Sequence, residues 1–377
     1  IETFSNLASG TYDIQTKNGI GCYSAIEQVT INEPGVLAGL YTPTDITCFG
    51  EDNGRIEVGI TGGTAPYKLQ INSGGYTLLS GSDSTIINLT AGNYTIDIVD
   101  ENGCEDSLEI ILYEPPSILS NITPTVNYNG YDISCNGYND GAVQLNISGS
   151  VSPYNILWNT GDNINTVSSI GAGIYSVSVT DDNGCQGESS LILSEPALLT
   201  STIESVFDYN GYDISCFGES DGAINLDVIG GVQPYNYSWS EGSNTEDLNN
   251  LIANQYAVDI LDANNCFTSN TIILDEPSPF QTTFNTSDYN GFNISCFGFL
   301  DGFIDQTTTG SVPPYTFNWS NGSVFEDLSS AAAGTYDLVI NDLNSCESIL
   351  TFDLTQPTPL ITDIISLNTQ KFSVFVT

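Results

Sequence analysis

The stretch CFGESDGAINLDVIGGVQPYNYSWSEG, residues 216–242, decides the fold of this 377-residue chain. It opens on a glycine-rich turn, Cys216-Phe217-Gly218 followed by Asp221-Gly222. In the next part, residues 224–228 (INLDV), apolar and polar residues alternate, and residues 235–239 (YNYSW) carry aromatic rings at every second position. A period of two predicts β-strands with one buried and one solvated face.

The same text recurs along the chain, which makes it a repeat array. Five cysteines that close a repeat are spaced by 82, 81, 81 and 80 residues: Cys22, Cys104, Cys185, Cys266 and Cys346. Four cysteines that open a repeat fall between them: Cys48, Cys135, Cys216 and Cys296. Each repeat ends at a Glu-Pro pair or, in the last case, at Gln356-Pro357. Because proline cannot donate to a sheet ladder, we place the domain boundaries at these prolines.

These boundaries predict four complete domains with partial material at both ends. We expect the second half of a truncated repeat in 1–34, β-sandwich repeats in 35–115, 116–196, 197–277 and 278–357, and the start of a further repeat or a divergent module in 358–377. The predicted fold is all-β, a tandem array of about 80-residue sandwiches of immunoglobulin-like or PKD-like type. Asn-Gly pairs at 129–130, 210–211 and 290–291 predict tight hairpin turns.

The cysteine spacing predicts one disulfide inside each repeat. The expected pairs are Cys48–Cys104, Cys135–Cys185, Cys216–Cys266 and Cys296–Cys346. Each would close a loop of about 50 residues, worth about 4 kcal/mol in the chain-entropy estimate. We expect Cys22 to be unpaired, because the chain reads as an internal piece of a longer protein whose matching cysteine precedes residue 1. Regular pairing favours an oxidising, extracellular location; nine buried thiols in a cytosolic protein are the alternative.

Charge excludes several classes of function. The chain has 46 acidic and 4 basic residues, a formal net charge of −42, and no histidine. A polyanion cannot neutralise phosphates, so we expect no nucleic-acid partner. Anionic membrane surfaces would repel the chain, and no apolar run reaches the ~18 residues of a membrane span, so we expect no direct membrane insertion. Without histidine, a catalytic triad or a His-ligated zinc site is excluded.

The repeated text resembles the SprB repeat family, found in very large surface proteins of gliding Bacteroidota. The resemblance rests on Cys-Phe-Gly, Asp-Gly, Gly-Gly, Pro-Tyr, Trp-Ser-x-Gly, Gly-x-Tyr and Asp-x-Asn-Gly-Cys, in that order, and it covers almost the whole chain to Pro357. It implies a cell-surface adhesin or filament that is exported by type IX secretion, associated with the outer membrane and moved by the gliding machinery. The first full repeat departs from the pattern, with Ile71 where the others have Trp158, Trp239 and Trp319.

Acidic turns are the candidate metal ligands. One set follows the opening cysteines (Asp140, Asp221, Asp301), and another precedes the closing cysteines (Asp181, Asp262, Asp342). Oxygen ligands of this kind suit Ca²⁺, and a disulfide between antiparallel strands would bring Asp221 near Asp262. The alternative is turn chemistry alone, which Asn53-Gly54 in the first full repeat favours because it keeps the turn without the charge.

Other motifs suggest surface chemistry without catalysis. Ser84 and Ser107 lie in Asp-Ser-Thr and Asp-Ser-Leu, which look like acceptors of O-glycosylation in Bacteroidota. The aromatic strand at 235–239 is either core or a sugar-stacking platform. We therefore expect a stalk segment whose partners are neighbouring repeats, or alternatively a multivalent array that binds surface polysaccharide. An enzyme is not expected, because every candidate carboxylate recurs in each repeat whereas a catalytic site normally occurs once.

Overall fold

The computed structural model describes residues 2–364 and 374–376. All regular elements in those two ranges are β-strands, which confirms the predicted all-β class. No helix long and apolar enough to cross a membrane occurs in the part of the chain that is described. The chain divides into two compact units, one formed by residues 1–126 and 139–194 and the other by residues 127–138 and 195–377.

The first unit contains fifteen strands among its described residues. In chain order they are β1 (Gly10–Ile14), β2 (Glu27–Ile31), β3 (Ala38–Thr44), β4 (Gly54–Thr61), β5 (Lys68–Ile71), β6 (Thr77–Leu78), β7 (Asp83–Leu89), β8 (Gly92–Val99), β9 (Glu105–Leu112), β10 (Leu119–Pro124), β11 (Gly141–Ser148), β12 (Asn155–Trp158), β13 (Thr166–Ile170), β14 (Gly173–Thr180) and β15 (Gln186–Leu193).

The second unit contains fourteen strands among its described residues. They are β16 (Thr200–Ser205), β17 (Gly222–Ile229), β18 (Asn236–Trp239), β19 (Leu248–Leu251), β20 (Asn254–Leu261), β21 (Phe267–Leu274), β22 (Gln281–Thr286), β23 (Gly302–Thr309), β24 (Thr316–Trp319), β25 (Leu328–Ala331), β26 (Gly334–Asn341), β27 (Glu347–Leu354), β28 (Thr362–Ile364) and β29 (Val374–Val376).

Each complete repeat forms two antiparallel sheets with the same strand order. In residues 197–277 the sheets are β16-β17-β19 and β18-β20-β21, and the pattern returns as β22-β23-β25 with β24-β26-β27 and as β10-β11-β13 with β12-β14-β15. The first full repeat forms β3-β4-β7 and the four-stranded β6-β5-β8-β9. Its additional strand β6 widens one sheet, while the other strands keep the order found in the later repeats.

The apolar residues of both sheets form one core in each repeat. In 197–277, Ile224 and Leu226 of β17 pack with Val258 and Ile260 of β20. Tyr235 and Tyr237 are half-buried against the same core, so the aromatic strand faces inward and the core interpretation is confirmed. Burial raises the pKa of Tyr237 to about 12, with Glu246 beside it acting in the same direction.

Two polar anchors hold the core aromatic residues: a tyrosine in every complete repeat, and a tryptophan in the last three. A tyrosine at the start of the strand before the closing cysteine donates its hydroxyl to the carbonyl four residues upstream, as Tyr256 does to Ile252 at 2.9 Å. This is the tyrosine corner of immunoglobulin-like sandwiches. The indole N–H of Trp239 donates to the carbonyl of Thr245 at 2.8 Å, so the buried ring leaves no polar atom unpaired.

The structure confirms the predicted hairpin turns and leaves the predicted domain boundaries untested. The Asn-Gly turns are confirmed, since Asn129 and Gly130 have φ of 52° and 99° and Tyr209 donates its N–H to the carbonyl of Tyr212 at 2.7 Å. Glycine is required at residue 230, where φ is 78° and a Cβ would lie 1.9 Å from the carbonyl oxygen of Leu198. The domain boundaries at 34, 115, 196, 277 and 357 stay a prediction, because each of the two compact units is larger than one repeat.

We predict that Trp239→Ala lowers the free energy of unfolding of its repeat by about 3–5 kcal/mol, since it opens a cavity in the core. The measurement is chemical denaturation of the 377-residue chain followed by circular dichroism. Phe217→Ala is the matched control, because Phe217 is 56% exposed and its removal should change stability by less than about 0.5 kcal/mol. Equal effects of the two variants would contradict the core assignment.

Candidate functional site

The loop that carries each closing cysteine is built around a buried aspartate. The carboxylate of Asp262, which is 1% exposed, accepts the backbone N–H groups of Asn264 and Cys266, both at 2.8 Å. Its second oxygen accepts the N–H of Val232 at 2.8 Å. The Asp-x-Asn motif therefore folds into a turn in which the aspartate, and not water, accepts the N–H of the closing cysteine.

The pKa values of two closing-loop aspartates are lowered by these bonds. The N–H of Cys104 is the main cause for Asp100, acting against burial, and the N–H groups of Thr64 and Asn102 act in the same direction. For Asp181, burial works to raise the pKa, but hydrogen bonds from Ser150 and from the N–H of Cys185 together outweigh it. These fixed donors favour the ionised form of both carboxylates.

The loop that carries each opening cysteine is closed by a different side chain. Asp221 accepts the N–H of Ser215 at 3.2 Å, and Asn53 accepts the N–H of Thr47 at 3.0 Å in the first full repeat. Since the amide oxygen does the same work as the carboxylate, the structure favours turn chemistry at this position. At Asp301 the hydroxyl of Ser295 also donates to the carboxylate, and this bond is the main cause of the lowered pKa of Asp301.

The glutamate of each Glu-Pro pair has a role that the sequence analysis missed. Glu276 accepts the N–H of Gly218 at 2.6 Å, and so ties the end of a repeat to its own opening loop. The same bond is made to the glycine after each opening cysteine by Glu114, Glu195 and Gln356. The sequence held one indication of this role, which is that Gln356 takes the place of the glutamate in the last repeat. Glutamine and glutamate share a carbonyl-type acceptor and differ in charge, so the exchange points to a hydrogen-bond acceptor at this position.

The disulfides differ from the predicted pairs, and this corrects the sequence analysis. Cysteines of successive repeats are joined: Cys48–Cys185, Cys135–Cys266 and Cys216–Cys346, with Cα atoms 5.5, 5.6 and 5.6 Å apart. The pairs Cys48–Cys104, Cys135–Cys185, Cys216–Cys266 and Cys296–Cys346 do not form. Cys22, Cys104 and Cys296 are unpaired and exposed, as was expected only for Cys22.

The physical reason is that the two cysteines of one repeat lie at opposite ends of its sandwich. The opening loop precedes β17, whereas the closing loop contacts Val232, just after β17 ends. Eight strand residues at ~3.3 Å each separate the two loops by about 25 Å, far beyond the ~7 Å Cα limit for a disulfide. Because Asp221 lies in the opening loop and Asp262 in the closing loop, this separation also keeps the two carboxylates apart, contrary to the expectation that they lie near each other.

Calcium binding at the acidic turns stays a prediction. Within 2–364 and 374–376, no group of three or more His, Cys, Asp or Glu side chains could hold a metal ion. The candidates Asp181, Asp262, Asp301 and Asp342 accept hydrogen bonds from the backbone of their own loops. Asp140 lies at the opening-loop position that corresponds to Asp221.

The predicted glycosylation sites lie on two strands of the first full repeat. Ser84 is half-buried in β7. Ser107 is exposed on β9, where its hydroxyl donates to Asp97 at 2.7 Å. Their modification stays a prediction.

Asparagine side chains complete the contact between the joined loops. The amide of Asn264 donates to the carbonyls of Ser134 at 2.9 Å and Tyr128 at 3.3 Å, and its oxygen accepts from Asn129 at 2.7 Å. Asn344 donates in the same way to the carbonyls of Ser215 and Tyr209. The Asp-x-Asn and Asn-Gly motifs thus supply the hydrogen bonds of a junction between successive repeats, and the disulfide supplies its covalent bond.

We predict that acid destabilises the chain through aspartates of the closing and opening loops. Asp100, Asp181 and Asp301 have pKa values below the ordinary 3.8 when folded. Their contribution is fully present above the unfolded-state pKa and is lost as pH falls through the folded-state value. We expect a constant melting temperature from about pH 7 to 5 and a steep fall below about pH 4.

Calorimetric scans across this pH range make the measurement. Asp181→Asn should melt lower at pH 7 and show a shallower acid dependence, because the amide cannot accept on both sides. Asp182→Asn, a change at the exposed neighbouring residue, is the matched control and should melt like the parent chain. An unchanged acid slope in Asp181→Asn would contradict the role given to that carboxylate.

A model of the SprB repeat family matches residues 40–75, 128–163, 212–244 and 292–324. A comparison with curated proteins finds no similar sequence.

Among solved structures, the chain is similar to the eight N-terminal Ig domains of Down Syndrome Cell Adhesion Molecule, with 9% identity, 93% of this chain and 65% of that chain covered, and a TM-score of 0.24. It is also similar to invasin, a bacterial integrin-binding protein, with 12% identity, 85% and 79% covered, and a TM-score of 0.28. A Ca²⁺-stabilized adhesin of an Antarctic bacterium gives 12% identity, 85% and 98% covered, and a TM-score of 0.28.

TM-scores this low support no structural relationship to these proteins. The family match depends on the sequence segments alone. The four matches fall one in each of the four two-sheet repeats, so each of these repeats carries a segment that the SprB repeat model matches.

Proposed function

We propose that this chain is a stalk segment of a large secreted cell-surface adhesin or filament, which serves surface adhesion and gliding motility. The disulfide junction between successive repeats carries the proposal. A stalk must transmit force from repeat to repeat, and a covalent bond supported by hydrogen bonds does so at each joined pair.

Charge and chemistry support the same function. A net charge of −42 makes lateral collapse and folding back of the array unfavourable by self-repulsion. The disulfides fit an oxidising, extracellular location. The recurring carboxylates are engaged by backbone donors, which leaves them unsuited to acid–base catalysis and favours a structural role over an enzymatic one.

The resemblance to the repeats of gliding adhesins supplies the finer part of the proposal. It favours export by type IX secretion, association with the outer membrane, and partners in the gliding machinery. Neighbouring repeats of the same chain are the partners that the junctions themselves provide.

The test uses cells that carry the parent gene. An antibody raised against the 377-residue chain should label intact cells, and in-frame removal of residues 35–357 should abolish labelling and reduce attachment to glass and colony spreading. Restoring the four repeats from a plasmid is the control. Labelling only after cell lysis would contradict the surface location, and normal attachment and spreading of the strain that lacks the repeats would contradict the adhesive role.

Binding of surface polysaccharide is the second candidate function, and a recurring exposed aromatic favours it. The phenylalanine directly after the opening cysteine is exposed in three repeats: Phe49 by 59%, Phe217 by 56% and Phe297 by 53%. Aromatic faces at equivalent loops offer weak stacking contacts that an array multiplies by avidity.

We predict that replacing Phe49, Phe217 and Phe297 by alanine together lowers retention on a neutral polysaccharide affinity gel by tenfold or more, while the fold is kept. The control replaces three other exposed apolar residues, Ile192, Ile229 and Ile273, which lie on strands. Equal retention of parent and triple-alanine chains would remove the polysaccharide function and leave the stalk proposal in place.

A further inference from the structure

The three disulfides close loops that overlap in sequence. The loops run from Cys48 to Cys185, from Cys135 to Cys266 and from Cys216 to Cys346, with separations of 137, 131 and 130 residues. Each loop begins before the previous one ends. Every peptide bond between Cys48 and Cys346 therefore lies inside at least one disulfide loop, and those in 135–185 and 216–266 lie inside two.

We propose that the array is a covalent ladder that stays in one piece after cleavage of any single peptide bond between Cys48 and Cys346. Hydrolysis of one bond adds water across it and leaves the disulfides oxidised, so the spanning disulfide still joins the two parts. Pairing inside each repeat would not have this property, because a cut between Cys104 and Cys135 or between Cys185 and Cys216 would release a fragment. The proposal does not depend on the adhesin assignment.

The ladder also shortens the covalent path through the chain. From Cys48 the shortest route crosses to Cys185, follows residues 185–216 and crosses again to Cys346. When fully extended this backbone segment spans about 110 Å, at ~3.5 Å per residue. The fully extended covalent path between the two end cysteines therefore runs only through residues 185–216, which carry β15 and β16, and the other strands of the four repeats lie outside it.

The surroundings of the central disulfide, Cys135–Cys266, protect it from reduction. Cys135 and Cys266 are each 6% exposed and pack in one cluster with Leu199, while Val228 and Tyr235 lie against that cluster. A thiolate must reach a disulfide sulfur to reduce it, so burial slows the exchange. Meanwhile the exposed turns that a protease reaches first, such as the one around Gly242, lie inside the loops.

The test places one cut at a position that two loops span. A seven-residue recognition site for a sequence-specific protease is inserted after Gly242, at an exposed turn where a Cβ would meet nothing within 4 Å. Three variants accompany the otherwise unchanged chain: Cys135→Ser with Cys266→Ser, Cys216→Ser with Cys346→Ser, and all four substitutions together. After cleavage, each is run on a denaturing gel without reductant.

The ladder predicts one full-size band for the unsubstituted chain and for both two-cysteine variants, because the remaining disulfide still spans the cut. Only the four-cysteine variant should separate into two fragments. Pairing of Cys216 with Cys266 would instead release fragments from both two-cysteine variants, since each of them loses one of these cysteines, and would overturn the proposal. Fragments from the unsubstituted chain, or none from the four-cysteine variant, would overturn it as well.

A second measurement does not depend on whether the variants fold. Mass spectrometry of the untouched chain, digested without reductant, should find peptides containing Cys135 and Cys266 linked to each other, and likewise for Cys48 with Cys185. Linked peptides containing Cys135 and Cys185 would contradict the ladder directly.

Discussion

The hydrogen bond from the N–H of the closing cysteine to the buried aspartate four residues earlier is the constraint on which the junctions depend. Between Cys266 and Asp262 this bond is 2.8 Å long, and the same carboxylate also accepts the N–H of Val232, just after the end of β17. One side chain thereby fixes both the shape of the loop and its position at one end of the sandwich. Because the cysteine is placed at that end, the loop meets the opening cysteine of the preceding repeat and not its own.

This use of carboxylates explains how a chain with four cations is stable at a net charge of −42. Ion pairs are a minor contribution, as shown by the exposed pair Arg55–Glu57 at 3.1 Å. Fixed backbone N–H groups take the place of cations at the buried aspartates, and Glu276 takes a further N–H from Gly218. Negative charge is thus stabilised locally by dipoles, while the remaining exposed carboxylates are left to solvent and salt.

The fold could be predicted from the sequence because period-two alternation, Asn-Gly turns and the recurring tyrosines act within single strands and turns. The disulfide partners could not, because the separation of Cys135 from Cys266 differs from its separation from Cys185 by one repeat length. A regular period fits both pairings equally well, and only the direction of β17 between the two loops decides between them. The junction asparagines were hidden for a related reason, since Asn264 and Asn129 each have an ordinary turn interpretation when taken alone.

The first full repeat shows which of these elements the architecture requires. It has Ile71 in place of the buried tryptophan, an added strand β6, and no Asn-Gly turn before its opening cysteine, yet its two sheets keep the common strand order. It also keeps the tyrosine corner at Tyr94 and the aspartate cap at Asp100. The core therefore tolerates exchange of its largest side chain, whereas the polar anchors that position the closing loop are retained. Cys48 joins Cys185 although no Asn-Gly turn precedes Cys48. The disulfide and the aspartate-capped closing loop are therefore sufficient for a junction. At the next junction, the asparagine of the Asn-Gly turn, Asn129, adds a hydrogen bond to Asn264.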